Sequence, residues 1–149
     1  MSVSDLIAVP LFFAKRLAEG ANVVALIGDR VYDGDIPDVT RTFDPYPCCL
    51  VAYQGGADTQ TTNARRVMAK PLYLVELVTK GPLTTGFKAA LKEMDDLLQQ
   101  CTNYEHEDIP NFFFHSWREQ ASSRSSIDTA IGKFKFRGGF YRVEAIPTN

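Results

Sequence analysis

Residues 72–101 read LYLVELVTKGPLTTGFKAALKEMDDLLQQC, and this stretch decides the fold class. In its first part Leu72, Leu74, Glu76 and Val78 fall on one side of an extended chain, with Tyr73, Val75, Leu77 and Thr79 on the other. Both sides are mostly apolar, which predicts a central strand covered on two faces. The period then changes. From a cap at Thr84 or Thr85, Phe87, Leu91, Met94, Leu98 and Cys101 recur at steps of four and three. Lys88, Lys92, Glu93, Asp96 and Gln99 lie mainly outside that stripe. This predicts an amphipathic helix packed on a sheet.

The neighbouring segments extend the pattern in both directions. Upstream, Cys48–Tyr53 (CCLVAY) predicts a short apolar strand, and the proline-bearing stretch Ile36–Pro47 an ordered loop. Residues 55–63 (GGADTQTTN) predict a surface loop or a long hairpin tip, leading into a β-rich stretch that begins at Arg66. Nearer the N-terminus, Ser4 can cap a helix reaching Glu19, with Gly20 as its stop. Leu6, Ile7, Leu11, Ala14, Leu17 and Ala18 would form its apolar face, and Pro10 predicts a kink or a restart. Val23–Ile27 is expected to be a short buried turn closed by Gly28, and Arg30–Tyr32 a brief strand before the turn residues Asp33, Gly34 and Asp35.

Downstream, Asn111–Glu119 predicts a strand, with Phe112, Phe114 and Ser116 alternating against Phe113, His115 and Trp117. Ser122–Ser126 (SSRSS) predicts a loop, and Lys133–Ile146 a long strand, or a hairpin interrupted at Gly138-Gly139. The order of elements points to an α+β fold, a mostly antiparallel sheet with two main helices on one face, in a single domain covering residues 1–149.

Composition narrows the function classes. A chain of 149 residues with 45% hydrophobic and 23% charged residues suits one globular core, not a disordered segment. Sixteen basic against 18 acidic residues give a net charge of −2, without the basic excess that nucleic-acid or membrane binding usually requires. No apolar run approaches the ~18 residues of a membrane span. The N-terminus lacks the basic start of a signal peptide, so residence in the compartment of synthesis is expected. Cys48, Cys49 and Cys101 make a poor disulfide framework and are expected to be small apolar core residues.

Catalysis needs convergent titratable groups, and the familiar signatures for nucleophiles, phosphate loops and metal sites are missing. Glu105-His106-Glu107-Asp108 is the densest set of candidate ligands, but adjacent residues cannot all point at one ion. A solvated acidic turn is the expectation there. His115 and Ser116 are consecutive strand residues facing opposite sides, so they do not form a base–nucleophile pair. Asp95 and Asp96 diverge as helix neighbours do. No catalytic, cofactor or metal site is assigned.

Two surfaces remain. One is the 55–66 segment with Arg65 and Arg66 at its end. The other is the set Arg118, Arg124, Lys133, Lys135, Arg137 and Arg142, interleaved with Phe134, Phe136, Phe140 and Tyr141. Basic residues alternating with aromatics suit single-stranded nucleic acid. In a strand, the same alternation also describes an apolar inner face and a charged outer one, and this is the preferred reading.

The linear order of short motifs adds a resemblance. A first helix is followed by Val23–Leu26 (VVAL), Ile27–Tyr32 (IGDRVY) and Pro45-Tyr46-Pro47. Then come Gly55–Asp58 (GGAD), Tyr73–Leu77 (YLVEL), an amphipathic helix and Phe136–Arg142 (FRGGFYR). In this order the chain resembles the tail terminator, or tail-completion, proteins of long-tailed bacteriophages. Residues 102–126 and the two prolines around Tyr46 depart from that pattern.

The resemblance implies an α/β subunit of a hexameric ring that caps the head-proximal end of the tail tube, stops its polymerisation and joins it to the neck. It also implies residence in the virion after assembly in the host cytoplasm. Tail tube protein and neck or connector protein are the implied partners, with DNA passing through the ring without sequence-specific binding. It implies no membrane, no cofactor and no enzymatic step. Head-to-tail contacts that close a ring require two different complementary patches on one subunit. Arg65, Arg66, Arg124, Arg137 and Arg142 are the candidate subunit or partner contacts. A stopper or adaptor ring of the neck is the alternative in the same class; a small enzyme, ligand-binding or nucleic-acid-binding domain is the alternative outside it.

Overall fold

The computed structural model describes residues 3–55, 58–60, 66–128 and 132–148. In chain order these form helices α1 (Val3–Leu17) and α2 (Ala21–Ile27), strands β1 (Val31–Asp33) and β2 (Cys48–Gly55), and short strands β3 (Asp58–Gln60) and β4 (Arg66–Ala69). Strand β5 (Leu72–Lys80) and helix α3 (Thr85–Leu98) follow, then strands β6 (Gln100–Tyr104), β7 (Phe112–Asp128) and β8 (Gly132–Pro147). Six strands make one sheet in the order β1-β2-β5-β8-β7-β6, antiparallel throughout except for β1 beside β2. β3 and β4 pair with each other apart from that sheet. The fold is α+β, as expected.

β5 sits between β2 and β8. Its Tyr73, Val75 and Leu77 enter the core beneath the helices, where they meet Phe12 and Phe13 of α1, Ile27 of α2, and Phe87, Met94 and Leu98 of α3. The other side of the sheet buries Cys48, Leu50 and Val78, with Ile36 and Tyr46 of the 34–47 loop packed against them. Two covered faces thus account for the doubly apolar run of residues 72–80. α3 starts where expected: the Thr84 hydroxyl accepts a hydrogen bond from the Phe87 amide at 3.1 Å.

Several expectations are corrected. α1 buries Ala8, Val9, Phe12, Phe13 and Leu17, and leaves Ile7 and Leu11 exposed. The helix is apolar on two sides, and the side carrying two phenylalanines removes more area from water. Pro10 does not mark a restart, since α1 is a single helix from Val3 to Leu17 with the proline inside it. Residues 21–27 form a helix instead of a turn, because its N-terminus is capped from a distance. The Glu93 carboxylate of α3 accepts from the Asn22 amide at 2.8 Å and the Val23 amide at 3.2 Å. The SSRSS stretch is not a loop but part of β7, where Ser122 to Ser126 pair with Gly138 to Phe134 of β8. Gly138-Gly139 does not interrupt β8, which pairs continuously with β5 from Arg142 to Phe134. β6 was not expected at all.

Candidate functional site

The long β7–β8 hairpin carries the basic and aromatic residues singled out from the sequence. Its register places Glu76 of β5, Gly138 of β8 and Ser122 of β7 in one row across the sheet. Glu76 is fully buried. Its Oε2 accepts from the Ser122 hydroxyl at 2.8 Å, and its Oε1 accepts from Nε and Nη2 of Arg124 at 2.9 and 2.8 Å. The Arg124 guanidinium lies 4.0 Å from the centre of the Phe136 ring. A buried carboxylate is tolerated only when paired and hydrogen-bonded, and this one has both forms of support. Gly138 has no room for a side chain, since a Cβ there would collide with the carbonyl oxygen of Val75.

The other arginines are tied within the chain too. Arg142 donates to Glu119 Oε1 at 3.1 Å and Oε2 at 3.2 Å, and to the Lys70 carbonyl at 2.9 Å. Arg118 donates to Asp95 Oδ2 at 2.7 Å, while the Tyr141 hydroxyl donates to Oδ1 at 2.7 Å. Burial and that bond to Asp95 push the Tyr141 phenol well above its ordinary range. Arg137 differs: its Nη1 meets only the carbonyls of Arg124 and Phe136, at 2.8 and 2.9 Å, so its charge has no anionic partner among the described residues. Arg65 lies outside the described residues. Arg66 belongs to β4, and its side chain lies outside them too.

The sequence pattern did not reveal the partners of these groups. The signal for Glu76 was present as a lone carboxylate in an apolar strand, but its arginine stands 48 residues away. The same holds for Glu93, which reaches 71 residues back to Asn22. The IGDRVY segment proves to be a structural joint. Gly28 closes α2 with φ of 61°, Arg30 donates to the carbonyls of Leu26 at 3.2 Å and Pro47 at 2.9 Å, and Val31 and Tyr32 pair with Cys49 and Leu50.

Among the described residues, the nucleophile, thiol and acidic groups singled out from the sequence do not come together in one place. The Ser116 hydroxyl donates to the Leu98 carbonyl at 2.7 Å beneath the helices, while His115 faces the opposite side. Burial pushes the Cys48 thiol up to about 12 and the Cys49 thiol higher still, away from the thiolate a nucleophile requires. Among the described residues no three His, Cys, Asp or Glu side chains are grouped to hold a metal ion. The Glu105–Asp108 turn is tied to α1 by an ion pair of 2.8 Å between Lys15 and Asp108.

No protein-family model matches the chain, and no curated protein matches it by sequence. In fold, however, it is similar to a solved structure. One chain from the virion of a native gene transfer agent (GTA) particle superposes with a TM-score of 0.61 over 97% of this chain and 98% of that one. Sequence identity is 15%. What the two chains share is a fold.

Proposed function

We propose that this chain is a structural protein of a phage-like particle and, within that class, a tail terminator. The observation that carries the reading is the end-to-end correspondence with a virion chain, which covers 97% of this chain and 98% of that one. The motifs that resemble tail terminators support it, because they fall at constrained places in this fold. IGDRVY links α2 to the sheet, and FRGGFYR contains Gly138, the residue beside Glu76 on the neighbouring strand.

In this reading the subunits form a ring on the head-proximal end of the tail tube, stop its growth and offer a surface to the neck, while DNA passes through. The tube and neck proteins are its partners, and its place is the virion after assembly in the host cytoplasm. The segment around Arg65 and Arg66 is proposed as a docking element for one of these partners.

Deleting the gene from the particle-encoding genome and imaging the products by negative-stain electron microscopy tests the proposal. Overlong tubes beside DNA-filled, tailless heads are the expected result. Tails of normal length beside unjoined heads would move the chain to a stopper or adaptor ring. Intact infectious particles would overturn the structural role.

A further inference from the structure

Two segments three strands apart in the sheet carry opposite charge. Residues 29–38, around edge strand β1, hold Asp29, Asp33, Asp35 and Asp38 against one cation, Arg30. Arg30 is spent on backbone carbonyls, and the four carboxylates are exposed without an ion-pair partner among the described residues. Residues 124–137, the outer part of the β7–β8 hairpin, hold Arg124, Lys133, Lys135 and Arg137 against one acid, Asp128. Arg124 is committed to Glu76. Lys133 and Lys135 have no carboxylate partner among the described residues, and Arg137 meets only carbonyls. The register puts Lys133, Lys135 and Arg137 on one face of the hairpin, together with Ile127.

Apolar surface follows the same division. Beside the acidic edge, Leu11, Ala14, Val24, Ile27 and Val31 line a groove of about 690 Å³, with Asp29 at its rim. This is the second apolar side of α1, and Ile7, 61% exposed, lies one turn before Leu11 along it. A helix apolar on two sides is expected to be covered on both. On the basic arm, Ile127 is 71% exposed, beyond the last residue of β5 to pair with β8. The outer edge of β7 is also open, because β6 pairs with it only between Phe114 and Trp117. Such an edge invites a partner.

We infer that the occupant of the α1–α2–β1 groove is the β7–β8 arm of a second copy of this chain. Ile127 enters the apolar groove, and Lys133, Lys135 and Arg137 face Asp29, Asp33 and Asp35. The two patches differ, so the contact is head-to-tail and leaves one copy with an unused arm and the other with an unused groove. Repetition of such a contact closes a ring or grows a filament. The ring form rests on the terminator reading above; the contact itself does not.

Sedimentation of the full-length chain at low and high salt tests it. The variants are Asp29→Lys/Asp33→Lys/Asp35→Lys on the edge and Lys133→Glu/Lys135→Glu on the arm. Wild-type association should weaken as salt is added, and each variant alone should associate at least about tenfold more weakly than wild type. Mixing the two variants should restore association, because every contact in the mixture again pairs opposite charges. Restoration also excludes misfolding as the cause of the single losses. Ile127→Asp should weaken association without rescue by either charge variant.

A wild-type chain monomeric at every concentration, or a mixture that stays apart, overturns the contact. Arm reversal that lowers affinity for duplex DNA while leaving association unchanged would assign the cations to DNA and overturn it as well. The gene deletion judges the ring separately. Charge rescue in a chain whose deletion leaves particles intact keeps the contact and removes the terminator role; overlong tubes without rescue do the reverse.

Discussion

At the residue scale, Glu76 is the most constrained group in the chain. It is fully buried on the side of the sheet away from the helices, and its charge is balanced by an arginine whose side chain is 49% exposed. Removing that partner strands a buried carboxylate. Arg124→Ala is therefore expected to lower unfolding free energy by about 2–3 kcal/mol, measured by urea titration. Replacing both partners, as Glu76→Leu/Arg124→Leu, should recover most of the loss, since well-packed apolar groups often equal a buried ion pair. A single-variant loss under about 0.5 kcal/mol, within the range of an unremarkable surface change, would mean that the pair contributes little. Gly138→Ala meets backbone that cannot rotate away. It should cost at least about 2 kcal/mol in the same assay, and an unchanged midpoint would show that the strands can separate to admit a methyl group.

At the scale of elements, α2 illustrates a helix that its own residues do not specify. It has seven residues, and Gly20 at its N-cap position supplies no side-chain acceptor. A helix so short is not stable alone. The Glu93 carboxylate substitutes for the missing cap, and the Asn22 side chain adds a bond to the same group at 2.9 Å. Glu93→Ala should cost about 1–2 kcal/mol. In a chain of this size that lowers the thermal midpoint by roughly 2–4 °C per kcal/mol, readable by circular dichroism. A midpoint within error of wild type would show that packing of Val23 and Ile27 suffices. β7 makes the same point for strands: its serines are extended because β8 offers a complete ladder to pair with.

At the scale of the whole molecule, three exposed ion pairs tie distant segments together. Lys80 holds Asp44 of the 34–47 loop at 2.8 Å, Lys15 holds Asp108 across from α1 at 2.8 Å, and Arg142 holds Glu119 at the irregular register of β7. The hydrogen bond from its cation is the main reason each carboxyl sits below its ordinary value. A folded-state value below the unfolded one gives stability that is complete above the unfolded range and lost as pH falls through the folded value. The urea midpoint should thus be level from neutral pH to about 5 and fall below about 4. Asp44→Asn/Asp108→Asn/Glu119→Gln should be slightly less stable at neutral pH, because exposed pairs contribute little, and its acid decline should be shallower. Parallel declines in variant and wild type would place the acid sensitivity in other groups.

The local periods of residues 72–101 were enough to specify a doubly covered strand followed by an amphipathic helix, and with them the α+β class. Alternation of two and recurrence of three to four are properties of a short window, and both are written in neighbouring residues. The cap at Thr84 and the strand at Cys48 were legible for the same reason. Tertiary structure decided what depends on partners far along the chain. It chose which apolar side of α1 is buried, made a helix of residues 21–27 through Glu93, and drew Ser122–Ser126 into β7. It also set Arg124 against Glu76, 48 residues away, and left Lys133, Lys135 and Arg137 without anionic partners among the described residues, three strands from the edge strand that carries the aspartates. Burial, pairing and charge balance are sums over neighbours in space, and no window of sequence contains those neighbours.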